Sequence, residues 1–297
     1  MIYFALFGCG DEERVAKYEP EEQEQLSTGC GIEQSALEAQ LEIETTVGTR
    51  RYYLVVPDTY DANTPTRLIF GYAGTNWLGE QIRPYFGLEE FSAPNDIFVY
   101  PDLLWHDFEG WGNLGGWLLG PHAGPAEGME DIEFTKELID SLRSQYCIDP
   151  QQIYATGHSW GGDMAQVVSC FLGDQFRATV PVAANSPYWF EPADNSELEC
   201  SGSTAVWTMF GINDDHFTSQ SYDGEYGDEC RDFWVQKHNC DGVEAFVDLQ
   251  IGESNECVEY ENCDEVTRYC LYASEYGHQI PSGYFARETM AFFHSFE

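Results

Sequence analysis

Residues 147–170 read CIDPQQIYATGHSWGGDMAQVVSC, and the fold follows from how they are parsed. Residues 152–156 form a strand around the apolar run Ile153, Tyr154 and Ala155. Gly157-His158-Ser159-Trp160-Gly161 is a sharp turn. A helix follows, with Met164, Val167, Val168, Phe171 and Leu172 at the spacing of one face and Gly173 as its stop. Ser159 stands at the centre of a G-x-S-x-G pattern. A serine on a tight strand-to-helix turn is pushed clear of the sheet. Its neighbours must be small, which accounts for Gly157, Gly161 and Gly162. The helix N-terminus also turns free N–H groups toward the serine, which favours negative charge developing there. The same pattern arises by chance as a glycine-rich turn with an incidental serine. The strand before it and the amphipathic helix after it separate this stretch from that background.

On either side the chain alternates strand and helix patterns. Residues 51–56 (RYYLVV) and 67–72 (RLIFGY) are strands, with a turn-rich stretch at 58–65, and 97–100 is a third. Residues 101–128 form a long glycine-rich loop with Trp105, Trp111 and Trp117, and a loop of that length inside a domain is usually functional. Residues 130–146 are a helix, with Phe134, Leu138, Ile139, Leu142 and Tyr146 apolar and acids in its first turn. Beyond the elbow, 178–184 (ATVPVAA) is a buried strand. Residues 186–200 are irregular and hold Tyr188, Trp189 and Phe190. Residues 204–210 (TAVWTMF), 243–251 and 268–273 complete the strands, and Pro281 opens a closing helix with Phe285, Met290, Phe292, Phe293 and Phe296. Such alternation implies an α/β fold, a mostly parallel central sheet with helices on both faces.

The 297 residues suffice for one large domain, and a hydrophobic content of 43% is ordinary for a folded chain. The charge is not ordinary: 13 Lys+Arg face 52 Asp+Glu, a formal net charge of -39. That field repels nucleic acid, anionic membrane and polyanionic substrates, and leaves neutral partners. Self-repulsion of this size predicts a melting temperature that rises with sodium chloride as the charges are screened. A flat or falling melting temperature would remove that reading.

Ten cysteines without a C-x-x-C pair point to an oxidising compartment and several disulfides. Cys257, Cys263 and Cys270 read as a stapled loop rather than a metal site, because no histidine lies between them. Residues 1–8, MIYFALFG, are apolar, and Leu6-Phe7-Gly8-Cys9 resembles the lipobox of a bacterial lipoprotein, in which Cys9 carries the lipid. The stretch is short and lacks a preceding basic residue, so a secreted, unlipidated chain is the alternative. Residues 9–28 are an acidic flexible tether, and 29–297 a single domain. No other segment approaches the length of a membrane span. With Cys9 set aside nine cysteines remain, so one is unpaired or pairs outside the chain.

A serine hydroxyl needs a base within hydrogen-bond reach, and the base needs an acid to hold it. Four histidines follow Ser159: His216, His238, His278 and His294. His278 sits in a glycine-flanked loop after the last strand, where the base belongs. His294 lies in the terminal helix, and turn geometry aims His158 away from the serine. Asp214 and Asp215 both follow a strand, and Asp214 is preferred as the acid. Ala73-Gly74-Thr75-Asn76 follows the second strand, where an α/β-hydrolase places its oxyanion loop.

These pieces give the chain a resemblance to the extracellular feruloyl esterase and polyhydroxybutyrate-depolymerase-like branch of the α/β-hydrolases, akin to carbohydrate esterase family 1. The matching residues are Gly29-Cys30-Gly31, Arg51-Tyr52-Tyr53 with Val56-Pro57, Cys147-Ile148-Asp149, Cys170, and Gly211-x-x-Asp214. Arg231-Asp232-x-Trp234 before Asn239-Cys240, the cysteine-rich loop and Gly277-His278 complete them. One departure is Ala73-Gly74, where the family commonly has His-Gly.

The resemblance implies an α/β-hydrolase with disulfide-bearing loops and a triad of Ser159, Asp214 and His278. The Thr75 and Trp160 N–H groups form the oxyanion pair, with Gly74 as alternative. It implies carboxylic-ester hydrolysis through an acyl-enzyme, with no metal or organic cofactor. Trp105, Trp117 and Trp189 are expected to bind substrate, a feruloyl or similar ester on neutral plant polysaccharide. The alternatives are a polyhydroxyalkanoate or polyester depolymerase, an acetyl xylan esterase, or a non-catalytic surface-binding lipoprotein. The expected protein is a monomer outside the cell, surface-held or periplasmic, meeting membrane only through a lipid on Cys9.

Overall fold

The structure, a computed structural model, describes residues 27–123, 126–187, 200–214, 226–242, 244–247, 255–272 and 277–296. The chain opens with β1 (Leu37–Thr45) and β2 (Gly48–Val56), then β3 (Thr66–Tyr72), α1 (Gly79–Phe86) and β4 (Ile97–Pro101). A small hairpin, β5 (Leu104–Phe108) with β6 (Gly112–Gly116), precedes α2 (Glu130–Gln145), β7 (Ile148–His158), α3 (Trp160–Phe171) and β8 (Ala178–Val182). The last part holds β9 (Ala205–Gly211), α4 (Tyr226–Lys237), β10 (Glu244–Phe246), β11 (Asn255–Tyr260), β12 (Thr267–Tyr272) and α5 (Phe285–His294).

One 10-stranded sheet runs in the order β1-β2-β4-β3-β7-β8-β9-β12-β11-β10. Its middle, from β4 to β12, is parallel, and both edges are antiparallel. Every residue of β4, β8 and β9 is buried, because helices cover both sides of a parallel sheet. Alternate side chains feed two cores. Leu68, Phe70 and Tyr72 pack with Phe134, Leu138 and Leu142 of α2 and Met164 and Val168 of α3. Ile69, Phe98, Tyr100 and Tyr154 face the other way, onto Ile82 and Phe86 of α1 and Phe285, Phe292 and Phe293 of α5. Each such buried apolar side chain contributes about 1.5–3 kcal/mol. α4 packs on α3 and β9, with Trp234 against Cys170 and Val206.

Two expectations need correction. Residues 101–128 are not one loop, because β5 and β6 pair within them. Their strands are short and β6 is GNLGG, so neither propensity nor alternation marks them. The stapling expected at Cys257, Cys263 and Cys270 is present, Cys257 joined to Cys270 across an antiparallel hairpin and Cys263 joined to Cys240. Of the strand expected over 243–251, residues 244–246 form β10, while 243 and 248–251 lie outside the described residues. β1, α1, α4 and β11 lie outside the elements expected from the sequence. β1 alternates half-buried and exposed along its whole length, with glutamates on the open side.

Four disulfides join Cys30–Cys147, Cys170–Cys200, Cys240–Cys263 and Cys257–Cys270. The first ties residues 117 apart and fastens the N-terminal segment to the strand that leads into Ser159. Closing a loop of that size is worth roughly 4–5 kcal/mol in a chain-entropy model. Cys230 is buried and free, the odd cysteine left when Cys9 is set aside. Cys9, residues 1–8 and nearly all of the tether lie outside the described residues. No described helix is long and apolar enough to cross a membrane.

Candidate active site

The sharp turn exists because two backbones must nearly touch. A Cβ on Gly157 would lie 1.9 Å from the Gly161 carbonyl oxygen, and one on Gly161 would lie 2.1 Å from that of Tyr72. With both sites reduced to glycine, α3 can start against the ends of β7 and β3. Ser159 sits between them at φ 59°, in the left-handed region that few side chains adopt. Its N–H bonds the Val182 carbonyl at 3.0 Å, and its own carbonyl accepts from Asp163 N–H at 2.9 Å. A strained serine locked from both sides presents its hydroxyl in one direction.

The hydroxyl donates to His278 Nε2 at 2.8 Å, and His278 Nδ1 lies 2.8 Å from Asp214 Oδ2. A carboxylate only accepts, so Nδ1 carries the imidazole proton and Nε2 is left as the acceptor. Asp214 is wholly buried, while the His278 side chain keeps 20% exposure toward the site. Three residues spread over 119 positions of sequence thus meet at the carboxyl ends of β7, β9 and β12. Asp215 and His216 lie outside the described residues. His294 bonds Asp96 at 3.1 Å, and His238 is buried against Thr267 at 2.7 Å, so both serve the packing of other elements.

A cavity of about 540 Å³ opens beside Ser159, lined by Gly74, Thr75, Trp77, Ile82, Tyr85, His158, His278 and Gln279. Gly74 lies so close that a Cβ there would meet Ser159 Cβ at 3.4 Å. The Gly74-Thr75 loop therefore flanks the hydroxyl, and Trp160 starts α3, where an N–H has no intrahelical acceptor. The Ala73 carbonyl accepts from Trp117 Nε1 at 2.8 Å. Asn76 bonds Gly115 through both its backbone N–H, at 2.9 Å, and its side-chain oxygen, at 2.8 Å. The β5–β6 hairpin thus braces the loop, so the Ala73 departure leaves it held.

The tryptophans divide differently from the expectation. Trp117 is fully buried against Tyr72 and supports the Gly74 loop from behind, so it does not line the cavity. Trp105 is 61% exposed on β5 and also does not line it. Trp189 lies outside the described residues. Trp77, half-exposed, lines the cavity wall, with Tyr85 edge-on to it at 5.4 Å. Nothing in the local sequence pattern says which tryptophan faces the site. His158 also differs, since its ring lies 4.9 Å from that of His278 and lines the cavity. Trp160 packs instead under the hairpin, 4.6 Å from Phe108 and 5.2 Å from Trp111.

Burial shifts three groups near or below the site. It lowers His158 to about 3, helped by the neighbouring His278, and lowers His238 to about 4. It raises Asp163 to about 8 against the Asn185 donors. Between about 4 and 6.5 the unfolded chain holds the extra protons of both histidines and the folded chain that of Asp163, so stability rises with pH. Above 6.5 only Asp163 remains, and stability falls toward pH 8 by about 1.4 kcal/mol per unit for one proton. Urea titrations should show these groups giving a maximum near pH 6.5, with Asp163→Asn removing the decline above it. An unchanged slope in that variant would contradict the assignment.

No family model matches the chain. Its architecture is that of the α/β-hydrolases. The acetyl xylan esterase structure from Aspergillus awamori superposes with a TM-score of 0.60 at 16% identity, covering 86% of this chain and 99% of that one. In sequence the chain is similar to feruloyl esterases. A probable feruloyl esterase C of Aspergillus niger is 34% identical over 158 residues, 51% of each chain. Feruloyl esterase D of Neurospora crassa is 26% identical over 256 residues, 80% of this chain and 77% of that one. The chain thus spans about half the length of the first relative.

Proposed function

We propose that this protein is a serine carboxylic-ester hydrolase that releases hydroxycinnamoyl groups, such as feruloyl, from neutral plant polysaccharide. The reading rests above all on one observation, the hydrogen-bonded series Asp214–His278–Ser159 beside an open cavity. Ser159 attacks the ester carbonyl while His278 takes its proton and returns it to the leaving alcohol. Asp214 keeps the proton on Nδ1 and stabilises the imidazolium. Thr75 and Trp160 N–H, or Gly74 in place of Thr75, hold the oxyanion. Each such donor is worth about 2.7–4 kcal/mol in a comparable hydrolase. Water then frees the acyl group by the same steps, and no metal or cofactor enters.

A flat aromatic acyl group fits the cavity better than acetyl does. Trp77 and Tyr85 offer ring faces and edges, and about 540 Å³ is far more than an acetyl group fills. The names of the sequence relatives point the same way. The acetyl xylan esterase neighbour supports acetyl release as the second reading. Four disulfides favour an oxidising compartment, and a lipid on Cys9 would hold the chain at a surface. The test is a panel of methyl ferulate, p-nitrophenyl acetate and hydroxyalkanoate esters. Methyl ferulate should give the highest kcat/KM. Turnover of the other esters without methyl ferulate would overturn the acyl assignment.

A further inference from the structure

Residues 277–280, which carry the base, belong to neither helix nor strand, yet His278 is held at hydrogen-bond distance from two partners. Three contacts account for this. The Tyr85 hydroxyl accepts from Ile280 N–H at 3.0 Å. The Tyr272 hydroxyl donates to the Gln279 carbonyl. Gly277, at φ 68°, packs so tightly that a Cβ would lie 3.1 Å from the Asn213 carbonyl oxygen.

Resting on the esterase reading above, we propose that Tyr85 and Tyr272 are positioning residues whose hydroxyls fix the backbone just beyond His278 and so keep its imidazole aligned between Ser159 and Asp214. The two phenols come from different elements. Tyr272 ends β12, is fully buried, and accepts from Ile212 N–H at 2.8 Å through its own carbonyl, two residues before Asp214. It therefore holds the base segment in register with the acid's loop. Tyr85 comes from α1 and forms cavity wall, its ring 5.4 Å from Trp77 and 5.7 Å from His158. One side chain thus touches both the acyl cavity and the base segment. Burial pushes both phenols up, which favours their neutral, hydrogen-bonding form. The backbone they hold has no sheet or helix ladder of its own. A small drift there moves the imidazole off line, and misplacement of about 1 Å costs on the order of 100-fold in rate.

The test is Tyr85→Phe and Tyr272→Phe, each of which removes one oxygen and keeps the ring. Each should lower kcat about five- to tenfold, the scale of one lost hydrogen bond, while KM stays within about twofold. The rate at which a fluorophosphonate labels Ser159 should fall in parallel, because the same proton transfer drives it. Rates within twofold of wild type in both variants would overturn the proposal. A raised KM at unchanged kcat in Tyr85→Phe would reduce that residue to cavity wall and overturn its part. Should one variant fail to fold, the other carries the test alone. Wild type that labels at Ser159 but hydrolyses no ester would fail the esterase reading, and the labelling rates would still decide the positioning one.

Discussion

Replacing Ser159 by alanine should lower kcat on every ester substrate by roughly 10⁶-fold, the loss seen when the nucleophile of a comparable serine hydrolase is removed. The fold should survive. The residue's structural work is done by its backbone, through the bonds to Val182 and Asp163, and among the described residues its hydroxyl bonds only His278. Alanine at φ 59° costs no more than serine does. What remains after substitution is the cavity, which on the esterase reading still binds ester without cleaving it. Residual activity within a factor of ten of wild type would mean that another group attacks the carbonyl.

The second large effect is expected at Asp214. Asp214→Asn keeps the volume of a wholly buried side chain but brings an amide that can donate to the ring. His278 Nδ1 then becomes the acceptor, and the proton moves to Nε2. That nitrogen can no longer take the Ser159 proton. The same exchange in a protease triad costs roughly 10⁴-fold in kcat, or about 5 kcal/mol of transition-state stabilisation. Substrate binding should change little, because Asp214 does not line the cavity. A loss below tenfold would transfer the role to Asp215, the neighbouring acid after the same strand.

The nucleophile turn was legible because its constraint is local. A Cβ on Gly157 would lie 1.9 Å from the carbonyl oxygen of Gly161 inside the same five residues, and a motif records such a contact. The Gly161 approach to Tyr72, by contrast, is long-range. The central strands were legible because burial on both faces demands apolar runs, as in RLIFGY and ATVPVAA. His278 followed from its place after a strand, whereas Asp214 shares its place with Asp215, so place alone leaves the acid open. The walls of the site were not legible. Trp77 and Tyr85 lie on or next to a helix with glycine at its start and Pro84 inside, features that argue against a helix in the sequence. Their cavity partners, His158 and Gln279, are far along the chain. Trp117 and Trp105 look alike in a glycine-rich stretch. Only the tertiary placement separates them: Trp105 stands exposed on β5, while Trp117, just past β6, is buried against Tyr72. β1 was lost for a related reason, since an edge strand with glutamates on its open side reads like the acidic tether before it.

The most direct measurement is peptide mass spectrometry after treatment with a fluorophosphonate, comparing wild type with His278→Ala. A hydroxyl activated by the imidazole should give one adduct per chain, on the peptide containing Ser159, and that adduct should be absent from the variant. An adduct on another residue, or equal labelling of Ser159 without His278, would contradict the account.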